Sequence, residues 1–136
     1  MNLVETMIMT MNDLIIPGTQ STPAIRAEWE AGILALDGDS YPENTFELFT
    51  PVIDWVERFL ESSDRKLSLE LRLVYLNTSS VKVMMDIFDL LQAASAEGRE
   101  VAVTWYYDRR NERVAELAGE FKEDCSFPFE ILPFGE

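Results

Sequence analysis

Leu67-Ser68-Leu69-Glu70-Leu71-Arg72-Leu73-Val74-Tyr75-Leu76-Asn77-Thr78-Ser79-Ser80 changes its period in mid-course, and that change decides the fold. Up to Leu73 the leucines take every second position with Ser68, Glu70 and Arg72 between them, the pattern of a strand with one apolar and one wet face. Past Asn77 the apolar residues Val81, Met84, Met85, Phe88 and Leu91 recur at helical spacing until Gly98. Asn77 and Thr78 stand where side-chain oxygens cap a first turn, and Gly98 where a helix stops. A strand hands over directly to a helix, which is the repeating unit of an α/β sheet.

The same grammar extends both ways. Val101, Val103 and Trp105 predict the next strand, and Asp108 leads into a further helix with Val114, Leu117, Ala118 and Phe121 on one face. Phe127, Phe129 and Ile131 predict a last strand with Pro128 at its edge. Upstream, Phe46, Phe49, Ile53, Val56 and Leu60 form a helical stripe that leaves Glu47, Asp54, Glu57 and Arg58 for water. Ser40-Tyr41-Pro42-Glu43, a hydroxyl three residues ahead of a carboxylate with an early proline, is the expected start of that helix. Before it, Leu14 to Ile16 closes at Pro17-Gly18, and the alternation of Ile25, Ala27 and Trp29 turns at Ala31-Gly32 into Ile33 to Leu36, a hairpin. The expected class is α/β, or α+β: an N-terminal β-hairpin, then alternating strands and helices, on a mixed, largely parallel sheet with helices mainly on one face. Residues 1–10, with three methionines and no clean period, are expected to form a flexible extension, and 11–136 a single domain.

Composition narrows the functions. Hydrophobic residues make up 47% of the 136 and charged residues 26%, the proportions of a chain that folds around its own core. With 25 acidic against 11 basic residues the net charge is −14, which repels phosphate backbones and anionic lipid, so neither nucleic acid nor membrane insertion is expected. No basic stretch precedes an apolar leader, and a cytoplasmic location is expected. Histidine is absent and Cys125 is the single cysteine, which excludes Ser-His-Asp triads, Cys-His pairs, histidine phosphorelay and cysteine-rich zinc sites. No catalytic residue, metal or cofactor is expected, and Cys125 reads as a packed, inert thiol.

In parallel strand-helix units the loops leaving the strand C-terminal ends share one rim. Asp37 to Tyr41, Leu76 to Ser80 and Tyr106 to Arg110 meet there. Thr78, Ser79 and Ser80 lie in a first turn, where unpaired N–H groups and the positive end of the helix dipole tolerate an anion. A phosphate there would carry close to two charges, and Lys82, Arg109 or Arg110 would add a charge-assisted bond. Each feature also has an ordinary explanation. Asn, Thr and Ser are common caps; Asp86 and Asp89 suit a solvated face; Met84-Met85 suits core filling; Asp108 to Arg113 suits an ion-pair network. A third arrangement, Asp37, Asp39 and Asp108 around a divalent ion, would suit a small metal-dependent hydrolase.

Several strings carry a specific likeness. Pro17-Gly18-Thr19-Gln20-Ser21-Thr22-Pro23, Gly38-Asp39-Ser40-Tyr41-Pro42-Glu43-Asn44 and Val52-Ile53-Asp54-Trp55-Val56-Glu57-Arg58-Phe59 resemble the SiaC family. Tyr75-Leu76-Asn77-Thr78-Ser79-Ser80, Met84-Met85-Asp86-Ile87-Phe88-Asp89 and Tyr107-Asp108-Arg109-Arg110-Asn111-Glu112-Arg113 extend the resemblance from about Asp13 to about Ile131. It implies a fold like that of STAS domains and anti-sigma-factor antagonists. It also implies a regulatory phosphoprotein whose modified threonine, in the Asn-Thr-Ser-Ser segment, falls on Thr78, with Asn77, Ser79 and Ser80 as neighbours. The partners implied are a SiaB-like protein kinase, a SiaA-like metal-dependent serine/threonine phosphatase and a SiaD-like diguanylate cyclase that the unmodified protein activates, raising cyclic di-GMP and promoting biofilm formation. Tyr41, Lys82, Asp86, Asp89, Arg109 and Arg110 are the candidate partner contacts. A partner switch acting on a transcriptional regulator keeps the same phosphosite with a different output.

Overall fold

The computed structural model describes residues 12–135. The expected extension over residues 1–10 lies outside them. The described elements are β1 Leu14–Ile16, β2 Ala24–Glu28, β3 Ile33–Ser40, α1 Thr45–Ser62, β4 Leu67–Leu76, α2 Thr78–Ala96, β5 Val101–Asp108, α3 Glu112–Glu123 and β6 Phe129–Phe134. The strands form one sheet in the order β1-β2-β3-β4-β5-β6. β1, β2 and β3 pair antiparallel, and β3 through β6 pair parallel, so the mixed, largely parallel α/β sheet read from the alternation is present.

Register explains why the alternation is so regular. Leu14, Ala27, Leu34, Leu69, Val103 and Phe129 lie side by side across all the strands, and Ile16, Ile25, Leu36, Leu71, Trp105 and Ile131 form the parallel row beside them. A one-residue slip of any strand would turn its apolar set to solvent, so burial fixes the pairing. The rows join the buried residues of all the described helices in a single core that includes Phe49, Trp55, Phe59, Met84, Phe88, Leu91 and Phe121. Each fully buried leucine of β4 contributes roughly 1.5–3 kcal/mol relative to exposure. The opposite face of the sheet stays partly wet, with Arg26, Asp37 and Arg72 exposed along it.

The hairpin between β2 and β3 depends on Gly32. Its φ is +66°, and a Cβ there would stand 2.2 Å from the Lys66 carbonyl oxygen. Only glycine combines that left-handed backbone with so close an approach.

The start of α1 differs from the expectation. Ser40 is the last residue of β3 and is fully buried, and the helix is capped by Asn44, whose side chain accepts from the Glu47 N–H at 3.0 Å and donates to the Glu47 carboxylate at 3.2 Å. Asn44 thus caps the helix through its side-chain oxygen while its amide group holds the Glu47 carboxylate, and it takes the role because the strand pairing claims Ser40. The buried stripe also differs from the expected one. Phe46 is 80% exposed, while Phe49, Val52, Trp55, Val56 and Phe59 form the buried face.

On α2 the methionines separate: Met84 is buried and Met85 half exposed, with Ile87 taking the core position assigned to Met85. On α3 the expected residues Val114, Ala118 and Phe121 are buried, and Asn111 caps the first turn by accepting from the Val114 N–H.

Candidate functional site

The rim around Thr78 is built by an irregularity in β4. Gly38 of β3 pairs with Leu73, but the next matched pair is Ser40 with Leu76, so β4 carries an extra residue. The bulge breaks the alternation, and Val74 and Tyr75 both face outward, at 51% and 55% exposure. The β4–β5 ladder is matched only as far as Leu71 with Trp105, so the two strands part company just below the rim. A groove of about 350 Å³ opens beyond that point, lined by Val74, Tyr75, Leu76, Asn111, Arg113, Val114 and Leu117. Tyr41 and Tyr75 meet edge to face, 5.9 Å between centroids.

The first turn of α2 is fastened through Asn77, Ser79 and Ser80. The Asn77 side chain accepts from the Ser80 N–H at 2.9 Å, which caps the helix, and the Asn77 N–H donates to the Ser40 carbonyl at 2.9 Å, which ties the turn to β3. The Ser80 and Ser40 hydroxyls are both fully buried and 2.7 Å apart. The Ser79 hydroxyl lies 2.6 Å from the Thr45 hydroxyl and donates to the Asn77 side chain at 3.2 Å, joining the starts of α1 and α2. Among the described residues, the Thr78 hydroxyl makes no protein hydrogen bond, and Thr78 is exposed. The turn thus divides its hydroxyls: Ser79 and Ser80 hold structure, and Thr78 faces water above free backbone N–H groups.

The remaining candidates spread around this turn. Lys82, Asp86 and Asp89 are exposed on α2, and the Lys82 ammonium lies 3.5 Å from the Asp86 carboxylate. Arg110 does not reach toward Thr78. It grips Asp108 through two nitrogens at 3.0 and 2.8 Å, and its backbone N–H adds a bond at 2.9 Å. Those bonds hold the Asp108 carboxyl down at about 2, and Asp108 in turn raises the Arg110 guanidinium. Arg109 is exposed and bonds through its N–H to the Phe134 carbonyl. The ion-pair network expected over Asp108 to Arg113 therefore reduces, among the described residues, to the Asp108–Arg110 pair. Adjacent like-charged arginines compete for one carboxylate, and the one that can close a two-residue turn onto it wins.

Asp37, Asp39 and Asp108 do not converge. Among the described residues no group of three acidic, histidine or cysteine side chains is placed to share a metal ion. Cys125 is partly buried with its thiol against the Phe121 carbonyl, and burial, with Asp124 and Asp89 nearby, pushes its ionisation up, which suits the inert role expected of it. No helix of the described residues is long and apolar enough to cross a membrane.

Residues 16–134 match the model of the SiaC family regulatory phosphoproteins. The chain belongs to the SiaC family. An uncharacterized protein of Pseudomonas aeruginosa (strain UCBPP-PA14) is 69% identical over 126 residues, 93% of this chain and all of that one. The crystal structure of apo-SiaC from Pseudomonas aeruginosa superposes with a TM-score of 0.85 at 67% identity, over 88% of this chain and 98% of that chain. SiaC in the crystal structure of the diguanylate cyclase SiaD in complex with its activator SiaC, also from Pseudomonas aeruginosa, gives 0.88 at 67% identity, over 90% of this chain and 100% of that chain. The resemblance to the SiaC family read from the sequence strings is borne out along nearly their whole extent. Sequence reasoning missed the fastening roles of Ser40 and Thr45, because a serine at a strand end and a threonine in a first helical turn look alike whether they bond to each other's neighbours or to water.

Proposed function

We propose that this chain is a non-enzymatic switch whose unmodified form docks on a diguanylate cyclase and activates it, and that phosphorylation of Thr78 ends the docking. The observation that carries the reading is the division of hydroxyls in the first turn of α2: Thr78 is exposed and unbonded among the described residues, while Ser79 and Ser80 are engaged. The cyclase is supported by SiaC of Pseudomonas aeruginosa, the activator in complex with SiaD, which is 67% identical over 90% of this chain.

The physics of the switch is local. A phosphate on Thr78 sits over the unpaired N–H groups of α2, so the fold accepts it. Screening beyond about 8 Å at physiological salt removes most of the repulsion from the rest of this acidic protein. A partner that buries the rim must instead desolvate a dianion without matching cations, which costs about 3 kcal/mol, or roughly 100-fold in Kd. A SiaB-like kinase adds the phosphate and a SiaA-like metal-dependent phosphatase removes it, both acting in the cytoplasm. Tyr41, Lys82, Asp86, Asp89 and Arg109 border the docking face. Arg110 takes part through its pairing with Asp108.

Binding of the cyclase to the wild type, Thr78→Ala and Thr78→Asp, together with cyclic di-GMP production, tests this. Thr78→Ala keeps binding and activation, and Thr78→Asp loses at least about tenfold in affinity, since a carboxylate carries half the phosphate's charge. Equal affinity for the two variants refutes the switch.

A further inference from the structure

The α2 helix carries a single basic residue, Lys82, one turn after Thr78 and one turn before Asp86. Its pairing with Asp86 is loose: 3.5 Å apart, with 76% of the lysine side chain exposed. It also runs in the less favourable sense along the helix, since an acidic group four residues before a lysine interacts better than one four residues after it. A negative charge on Thr78 would occupy that better position. It would bring close to two charges where Asp86 has one.

We propose that Lys82 is the internal acceptor of the Thr78 phosphate, leaving Asp86 when the phosphate arrives, so that modification rewrites the charge of α2 over its first three turns. The inference rests on the reading of Thr78 given above and deepens it. Lys82 is the basic residue that shares the helix of Thr78 at four-residue spacing, and two of the other cations near the rim are committed. Arg110 is held in two bonds by Asp108, and Arg72 lies over the rings of Tyr106 and Phe134 at 4.6 and 5.4 Å. The start of α1, which touches the turn through Thr45 and Ser79, contributes Glu47 and no basic residue. Asn77, Ser79 and Ser80 are neutral and already bonded.

The consequence reaches beyond the modified residue. Before modification the exposed stripe of α2 presents Lys82 neutralising Asp86. Afterwards the lysine is drawn to the first turn, and Asp86 and Asp89 are left as an uncompensated acidic pair. Eight residues of helix separate Thr78 from Asp86, a rise of about 12 Å. A partner lying along α2 thus meets a changed surface two turns from the phosphate, with no change of backbone.

The test uses the full chain with phosphothreonine inserted at position 78 during translation, so that no kinase is needed. Phosphorus NMR then follows the second ionisation of the phosphate. Lys82→Gln raises its midpoint by about 0.3 pH units, the size expected of an exposed helical pair, and Lys82→Arg restores it. Asp86→Asn lowers the midpoint, and lowers it more with Lys82 present than with Gln at that position. The Lys82 Nζ resonance moves with the phosphate titration. A midpoint unaffected by Lys82→Gln, or an Asp86→Asn shift that is the same in both backgrounds, overturns the inference. Site mapping of protein recovered from cells separates the two readings: phosphate found only at another residue sinks the role of Thr78 and this inference with it, whereas phosphate at Thr78 that ignores Lys82 sinks the inference alone.

Discussion

The buried hydroxyl pair of Ser40 and Ser80 is the contact on which the geometry of the rim should depend most, and its removal can be put in numbers. Both side chains are fully buried, their oxygens are 2.7 Å apart, and each is the other's only side-chain partner among the described residues. Ser80→Ala removes a hydrogen bond with a net contribution near 1 kcal/mol and also strands the Ser40 hydroxyl without water, at about 1–3 kcal/mol. A loss of at least about 2 kcal/mol, the lower end of that sum, is expected, and the same from Ser40→Ala. The double variant strands nothing, so it should lose about 1 kcal/mol rather than the sum, which gives a coupling of at least about 3 kcal/mol between the two sites. Urea denaturation with a slope near 2 kcal/mol/M would place each single variant at least about 1 M below the wild type and the double variant about 0.5 M below. Additive losses in the double variant would refute the account, since they would mean that each hydroxyl finds another partner once the first is gone.

Two further outcomes follow from the corrected helix and from the strongest ion pair. Phe46→Ser should leave stability within about 0.5 kcal/mol, whereas Phe49→Ala should cost about 3–5 kcal/mol, measured by the same denaturation; a large loss at Phe46 would restore the original stripe. Asp108, held at about 2 against an ordinary 3.8, stabilises the fold above its ordinary value and loses that contribution as pH falls through 3.8 towards 2. Arg110→Ala should return its carboxyl titration, read by NMR, to near the ordinary value; a midpoint left at about 2 would remove Arg110 as the cause.

Most of the architecture was legible because one face of the sheet is wet. Ser68, Glu70 and Arg72 mark their positions as outward by chemistry, and burial then fixes the register of the leucines between them. Helical stripes were legible in their centres and ambiguous at their ends. Phe46 fits the period of α1 but precedes the first turn that meets the core, and periodicity carries no information on where packing begins. The β4 bulge was hidden for a related reason: Leu73-Val74-Tyr75-Leu76 is apolar throughout, so no polar residue records the loss of alternation. Thr78 stood out only as one of several hydroxyls. The family resemblance singled it out, but the physical distinction is that Ser80 points to a strand forty positions upstream and Ser79 to the neighbouring helix, and contacts of that range leave no local trace.

The cap of α2 is an amide. Helix starts that rely on serine or threonine for this task expose to kinases the same oxygen that holds the first turn, so altering it also frays the scaffold. Here Asn77 does the holding, and amides are not kinase substrates. In the proposed switch the modified oxygen and the fastener are different atoms on adjacent residues, so a mark on Thr78 would be set and erased through many cycles while the scaffold beneath keeps the same shape and the same resistance to unfolding.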